Sequence, residues 1–131
     1  MTVADYFYNN LDKLKQVTYG DMPLAENIRE LIDLWAEMPN IIMLGGEGQG
    51  IIMGVLHRHF YNPSLIICSE MVWYGESPRK ALELLKALEE RCKDFSVDYI
   101  ILGDGYNKLG STKAKKLGYS EFETSYRKVL K

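Results

Sequence analysis

Between Leu65 and Leu102 the sequence reads strand, helix, strand, and no other segment constrains the fold as tightly. Leu65 to Tyr74 is rich in β-branched and aromatic residues. Ser77-Pro78 then supplies an N-cap followed by proline at the first helical position, where a missing amide hydrogen costs nothing. Ala81, Leu84, Leu85, Leu88, Cys92 and Phe95 recur at helical spacing and predict a helix of about five turns. Val97 to Leu102 is apolar and β-branched, the character of a strand buried on both faces and parallel to its neighbour. Such a unit joins two parallel strands of one sheet by a right-handed crossover.

The rest of the chain fits around this unit. Thr2 and Asp5 form a capping-box pair at the start of a helix whose apolar face is Phe7, Leu11 and Leu14. The run Thr18 to Pro23 breaks it. A second helix carries Leu24, Ile28, Leu31, Ile32, Trp35 and Met38 and ends at Pro39-Asn40. Asn40–Leu44, Ile51–Phe60 and Leu65–Tyr74 read as an antiparallel meander, joined by the turns Gly45–Gly50 and Tyr61–Ser64. After Leu102, a short helix within Asp104–Leu117 stops at Gly118, and Tyr119–Leu130 alternates as a last strand. The expected class is α/β, an α+β mixed sheet, in a single domain over residues 1–131. No Pro/Gly/Ser-rich linker divides the chain.

Composition excludes several function classes. Hydrophobic residues at 47% exclude bulk disorder. A net charge of -2 gives no global basic field, so nucleic acid and acidic membranes are not expected partners. No apolar run reaches membrane-spanning length and no basic-then-apolar leader opens the chain. Cys68 and Cys92 are too few for a disulfide scaffold. A cytoplasmic protein with reduced thiols is the expectation.

Three constellations carry possible chemistry. A hairpin turn at Tyr61–Ser64 pairs Phe60 with Leu65, which sets His57 opposite Cys68 and His59 opposite Ile66. His57, His59, Cys68 and Glu70 then share one sheet face. A histidine beside a carboxylate suits general-base work, a Cys–His pair suits nucleophilic attack, and two histidines with a carboxylate suit a metal. An ordinary half-exposed polar face is equally compatible. The second constellation is the helix start with Ser77, Arg79, Lys80 and Ala81, where free amides and the helix dipole favour an anion. A solvated surface helix start is its plain alternative. The third is the basic run Lys108, Lys113, Lys115 and Lys116, which also reads as a solvated face.

The order of these elements resembles the GNAT N-acetyltransferase superfamily, over roughly Asn40 to Lys131. The resemblance rests on Ser69-Glu-Met-Val-Trp-Tyr74, on the helix bearing Leu84-Leu85-Lys-Ala-Leu88-Glu89, and on Asn107 followed by Gly118-Tyr119. It implies a GNAT-like fold with an acetyl-CoA site between the strands Leu65–Tyr74 and Val97–Leu102. The main chain of Met71, Val72 and Trp73 would bind the pantetheine arm. Ser77, Arg79, Lys80 and Ala81 would meet the pyrophosphate, and Asn107 would contact the coenzyme. Glu70 matches the position of the general base, with His57 as the other catalytic candidate. The implied reaction is transfer of an acetyl group to a primary amine, on a small molecule or a peptide.

The chain departs from the family pattern at three places. The glycines of the usual phosphate loop are missing, with Glu76, Arg79 and Ala81 in their region. Ala114 stands where the thiolate-protonating tyrosine is usual, leaving Tyr106, Tyr119, Ser111 or water. The N-terminus reads as helix where the family begins with a strand. In its small size the chain is similar to GNAT-like proteins carried by tailed bacteriophages. The alternative function is a catalytically inactive binding or structural module that retains the fold.

Overall fold

The computed structural model describes residues 1–18, 20–103, 111–121 and 126–131. Three helices come first: α1 (Val3–Asn9), α2 (Leu11–Thr18) and α3 (Ile28–Glu37). The strands β1 (Ile41–Gly46), β2 (Gly50–Arg58) and β3 (Ile66–Gly75) follow, then α4 (Pro78–Asp94), β4 (Tyr99–Ile101) and α5 (Ser111–Lys116). The sheet order is β1-β2-β3-β4, antiparallel except for the parallel β3–β4 pair. The meander and the parallel crossover expected from the sequence are therefore both present.

Local chemistry explains the starts of α1 and α4. The Thr2 hydroxyl accepts from the Asp5 amide, and the Asp5 carboxylate accepts from the Thr2 amide, closing the capping box. The Ser77 hydroxyl accepts from the Lys80 amide, with Pro78 at the first helical position. The first helix is not one rod, however. Asn10 leaves helical geometry and its side-chain amide donates to the Tyr6 carbonyl, so the chain turns between α1 and α2.

The sheet is covered on both sides, and β2 shows this in its sequence. Ile52 faces α4 with Ile42, Cys68, Trp73, Leu84, Leu85 and Leu88. Ile51 and Met53 face the opposite side with Val72 and the helical residues Tyr6, Phe7, Leu14 and Ile32. Consecutive apolar residues on one strand thus feed two separate cores. At the far end of the sheet the strands approach closely. A Cβ on Gly50, whose φ is +117°, would meet the Tyr74 carbonyl, and one on Gly75 would meet the Ala81 backbone. The Trp73 indole donates to the Ala81 carbonyl at 2.9 Å, tying β3 to the first turn of α4.

Two expectations need correction, and a third is met. β4 spans only Tyr99–Ile101 and is not buried on both faces: Tyr99 is 57% exposed, and among the described residues β4 is the sheet's edge. The described part of Tyr119–Leu130 contains no strand, and Tyr126, Val129 and Leu130 are exposed. Among the described residues, the helix expected within Asp104–Leu117 is Ser111–Lys116; residues 104–110 lie outside them. No helix among the described residues is long and apolar enough to cross a membrane.

Candidate functional site

β3 positions the site. Its register with β2 pairs Leu56 with Cys68, His57 with Ile67 and Arg58 with Ile66. The turn is one residue longer than a hairpin at Tyr61–Ser64 requires. Side chains hold the extra length: His59 Nδ1 accepts from the amides of Tyr61 and Asn62, and Asn62 Oδ1 accepts from the Ser64 amide. A slip of one residue moves a side chain to the other face. The expected cluster of His57, His59, Cys68 and Glu70 is therefore not formed. Cys68 and Glu70 lie on the α4 side, whereas His57 lies on the other, exposed, with Nε2 2.7 Å from Ser69 Oγ.

The Cys–His and metal alternatives lose their geometry with that cluster. Cys68 sits in the α4 core, where burial pushes its thiol up to about 12 and raises the neighbouring Cys92 thiol as well. Both thiols are free and buried. Among the described residues no group of three or more His, Cys, Asp or Glu is placed to hold a metal ion.

Glu70 is the singular group. It pairs with Gly54, which has no side chain to compete for space on the α4 side; a Cβ there would lie 2.5 Å from Cys68 Sγ. The Glu70 side chain is half-buried. Burial pushes it up to about 7, and a hydrogen bond from the Gly103 amide opposes that rise. Gly103 follows β4, so this bond is made where the two parallel strands part.

That parting is visible in the pairing. β3 pairs with β4 at Ile67, Cys68 and Ser69 only. Beyond Ser69, β3 continues for six residues, to Gly75, with no strand on that edge among those described. On its other edge a bulge sets in at the same point: Gly54 pairs with Glu70 and Met53 with Val72, and Met71 is the extra residue. The bulge re-aims the strand where the parallel pairing ends. This signal was absent from the alternation pattern and separates the Glu70 half of β3 from the Val72 half.

The remaining expected site residues are spread along this edge. Met71 is exposed, while Val72 and Trp73 are buried in opposite cores. At the start of α4, Pro78 has no amide hydrogen and the Lys80 amide is taken by Ser77. The Ala81 amide makes the first helical bond, to the Ser77 carbonyl. That leaves the Arg79 amide for an anion, beside an exposed Arg79 guanidinium paired with Glu83 at 3.2 Å. Asn107, Tyr106 and Lys108 lie outside the described residues, and so does the Ser111 side chain. The Tyr119 hydroxyl donates to Glu89 at 2.8 Å, which commits its proton. A separate concavity of about 470 Å³ lies at the α1–α2 corner, lined by Tyr8, Asn9, Asn10, Leu11, Asp12, Lys13 and Leu24. Lys13 links it to β3, its ammonium 5.4 Å from the Tyr74 ring centroid.

No protein-family model matches the chain, and no curated protein matches it in sequence. Solved structures do match. An acetyltransferase from Trypanosoma brucei superposes with a TM-score of 0.68 at 18% identity, covering 97% of this chain and 94% of that one. A ribosomal-protein-alanine N-acetyltransferase from Brucella melitensis biovar Abortus gives 0.61 at 11% identity, covering 100% and 95%. An aminoglycoside acetyltransferase from an uncultured soil metagenomic sample gives 0.58 at 15% identity, covering 98% and 88%. The mixed sheet, the parting parallel strands and these superpositions agree: the chain has the fold of the GNAT acetyltransferases.

Proposed function

We propose that the chain is an acyl-coenzyme A-dependent N-acyltransferase in which Glu70 takes the proton of an attacking primary amine. The observation that carries this reading is the Glu70 carboxyl, held near neutrality by burial at the point where β3 and β4 part. A base with a pKa of about 7 is both ionised in part and basic enough to accept a proton at neutral pH.

The fit to the coenzyme is uneven along its length. From Glu70 to Gly75, β3 has no described strand beside it on the β4 edge, an extended length that suits a pantetheine arm. The start of α4 offers the pyrophosphate one amide, from Arg79, and two cationic side chains, Arg79 and Lys80. When bound, the coenzyme supplies an acyl group activated as a thioester. The chain's own part is to lay the β3 main chain along the donor, to keep Glu70 out of bulk water, and to remove the amine proton at the Glu70 carboxylate. The departing thiolate needs no strong acid, and water can protonate it in place of the usual tyrosine. The named neighbours span a protein N-terminus and an aminoglycoside, so both peptides and small polyamines belong in an acceptor screen.

The crowded start of α4 favours a second reading, a binding or structural module without turnover. The test is coenzyme release from acetyl-CoA with a panel of primary amines, for the parent and Glu70→Gln. The reading expects turnover that rises with pH through about 7. It also expects Glu70→Gln to fall by about 10²–10⁴-fold, the usual worth of a positioned base. Equal rates in parent and variant would remove Glu70 as the base. Failure to bind acetyl-CoA at all would favour the module.

A further inference from the structure

One contact remains unused by this reading. Ser69 Oγ and His57 Nε2 lie 2.7 Å apart on the sheet face opposite Glu70. The ring's other nitrogen, Nδ1, lies 3.3 Å from the Arg58 carbonyl oxygen. A carbonyl only accepts, so in the neutral imidazole Nδ1 carries the hydrogen and Nε2 is the acceptor. The Ser69 hydroxyl then donates to Nε2. A hydroxyl, an imidazole that can take its proton, and a third group that fixes the tautomer are the components of an activated nucleophile. The register creates this set. With the pairing expected from sequence, His57 would have met Cys68; the observed one-residue difference pairs it with Ile67 and brings the Ser69 hydroxyl beside it on the same face.

The surroundings leave the pair accessible. Helices α1–α3 cover this face over Ile51, Met53 and Val72, on the far side of the bulge. On the near side, His57 is exposed, Ser69 and Val55 are half-buried, and Tyr99 across β4 is more than half exposed. Ile67, paired with His57 on this face, is buried, so a small acyl donor would approach Ser69 from the exposed His57 side.

We propose that Ser69 and His57 form a nucleophile–base pair that accepts acyl groups from activated esters and thioesters, independently of coenzyme bound at the β3–β4 opening. In the step, the Ser69 proton passes to His57 Nε2 as Oγ bonds to the acyl carbon. The bond from that carbon to the leaving oxygen or sulfur breaks, and the leaving group takes the proton from the imidazolium. Water attacks the acyl-serine ester by the reverse assignment of proton roles and restores the hydroxyl. Water is the co-reactant, and no oxidant or reductant is required.

The experiment uses the whole chain and p-nitrophenyl acetate, with release of nitrophenolate followed by absorbance and the acetylated residue found by peptide mass spectrometry. Acetyl on Ser69 is expected, with release slowed by about 10²-fold in both Ser69→Ala and His57→Gln, the lower end of what a positioned base gives. Acetylation confined to lysines, or equal release from His57→Gln and the parent, overturns the proposal. Should either variant lose its thermal transition, Ser69→Cys carries the test: its alkylation by iodoacetamide should slow when His57 is also replaced, and an unchanged rate overturns the proposal. Coenzyme plays no part in these measurements, so their failure leaves the Glu70 reading untouched, and the reverse holds as well.

Discussion

Along its β2 edge, β3 is paired from Ile66 to Gly75 except at the bulged Met71; along its β4 edge it is paired at three positions, and the stretch beyond, with no described strand beside it, is its open edge. The paired edge is built for closeness. Gly50 and Gly75 remove side chains where strands and α4 meet, and the Trp73 indole is tied to the Ala81 carbonyl. The open edge is built around a cost. It holds a carboxyl partly stripped of water, which is unfavourable for the charged form unless something is bound there. One strand thus spends stability on one side that it secures on the other, the pattern expected where a functional site interrupts a packed sheet.

The sharpest way to break the paired edge is Gly50→Ala. The added Cβ meets the Tyr74 carbonyl, and the residue sits at φ +117°. Left-handed strain and overpacking together should cost about 3–4 kcal/mol in urea unfolding.

The open edge should answer to pH. The folded-state pKa of Glu70 is raised from 4.5 to about 7, so the fold favours its protonated form. That contribution is complete below about pH 4.5 and is lost as pH rises through about 7. Glu70→Gln should therefore be more stable than the parent at pH 8, by on the order of 2–3 kcal/mol. The difference should vanish near pH 4. A difference independent of pH would mean that the carboxyl is not buried in its charged form.

Smaller effects separate the helix start from both edges. Ser77→Ala removes the cap on the Lys80 amide and should cost about 1 kcal/mol. Arg79→Glu should change stability by less than about 0.5 kcal/mol, because its pair with Glu83 is exposed. Its effect should be on acetyl-CoA, with a higher dissociation constant in calorimetry. An unchanged constant would take the α4 start out of the coenzyme site.

Much of this was legible in the sequence, for physical reasons that can be named. Thr2 with Asp5 and Ser77 with Pro78 mark helix starts because they answer the unmet hydrogen bonds of a first turn, a local need with a local signature. The parallel crossover follows from apolar runs flanking a helical stripe. Glu70 was reached through the expected strand face and through the general-base position that the GNAT resemblance implies. What failed depended on distance along the chain. The His59 and Asn62 side chains lengthen the β2–β3 turn by one residue, and that residue decides which face His57 occupies. The bulge at Met71 is a property of two strands together and leaves no mark in either alone. The break at Asn10 was hidden because Phe7, Leu11 and Leu14 keep a helical period across it.

The central claim is that the open edge of β3 receives an acyl-coenzyme A while the paired edge stays closed. Amide hydrogen exchange with and without saturating acetyl-CoA tests this directly. The account predicts slower exchange in residues 70–75 and at the start of α4, with the β1–β2 pairing of Ile41–Gly46 unchanged. Unchanged exchange in residues 70–75, or protection confined to the α1–α2 corner, would contradict it.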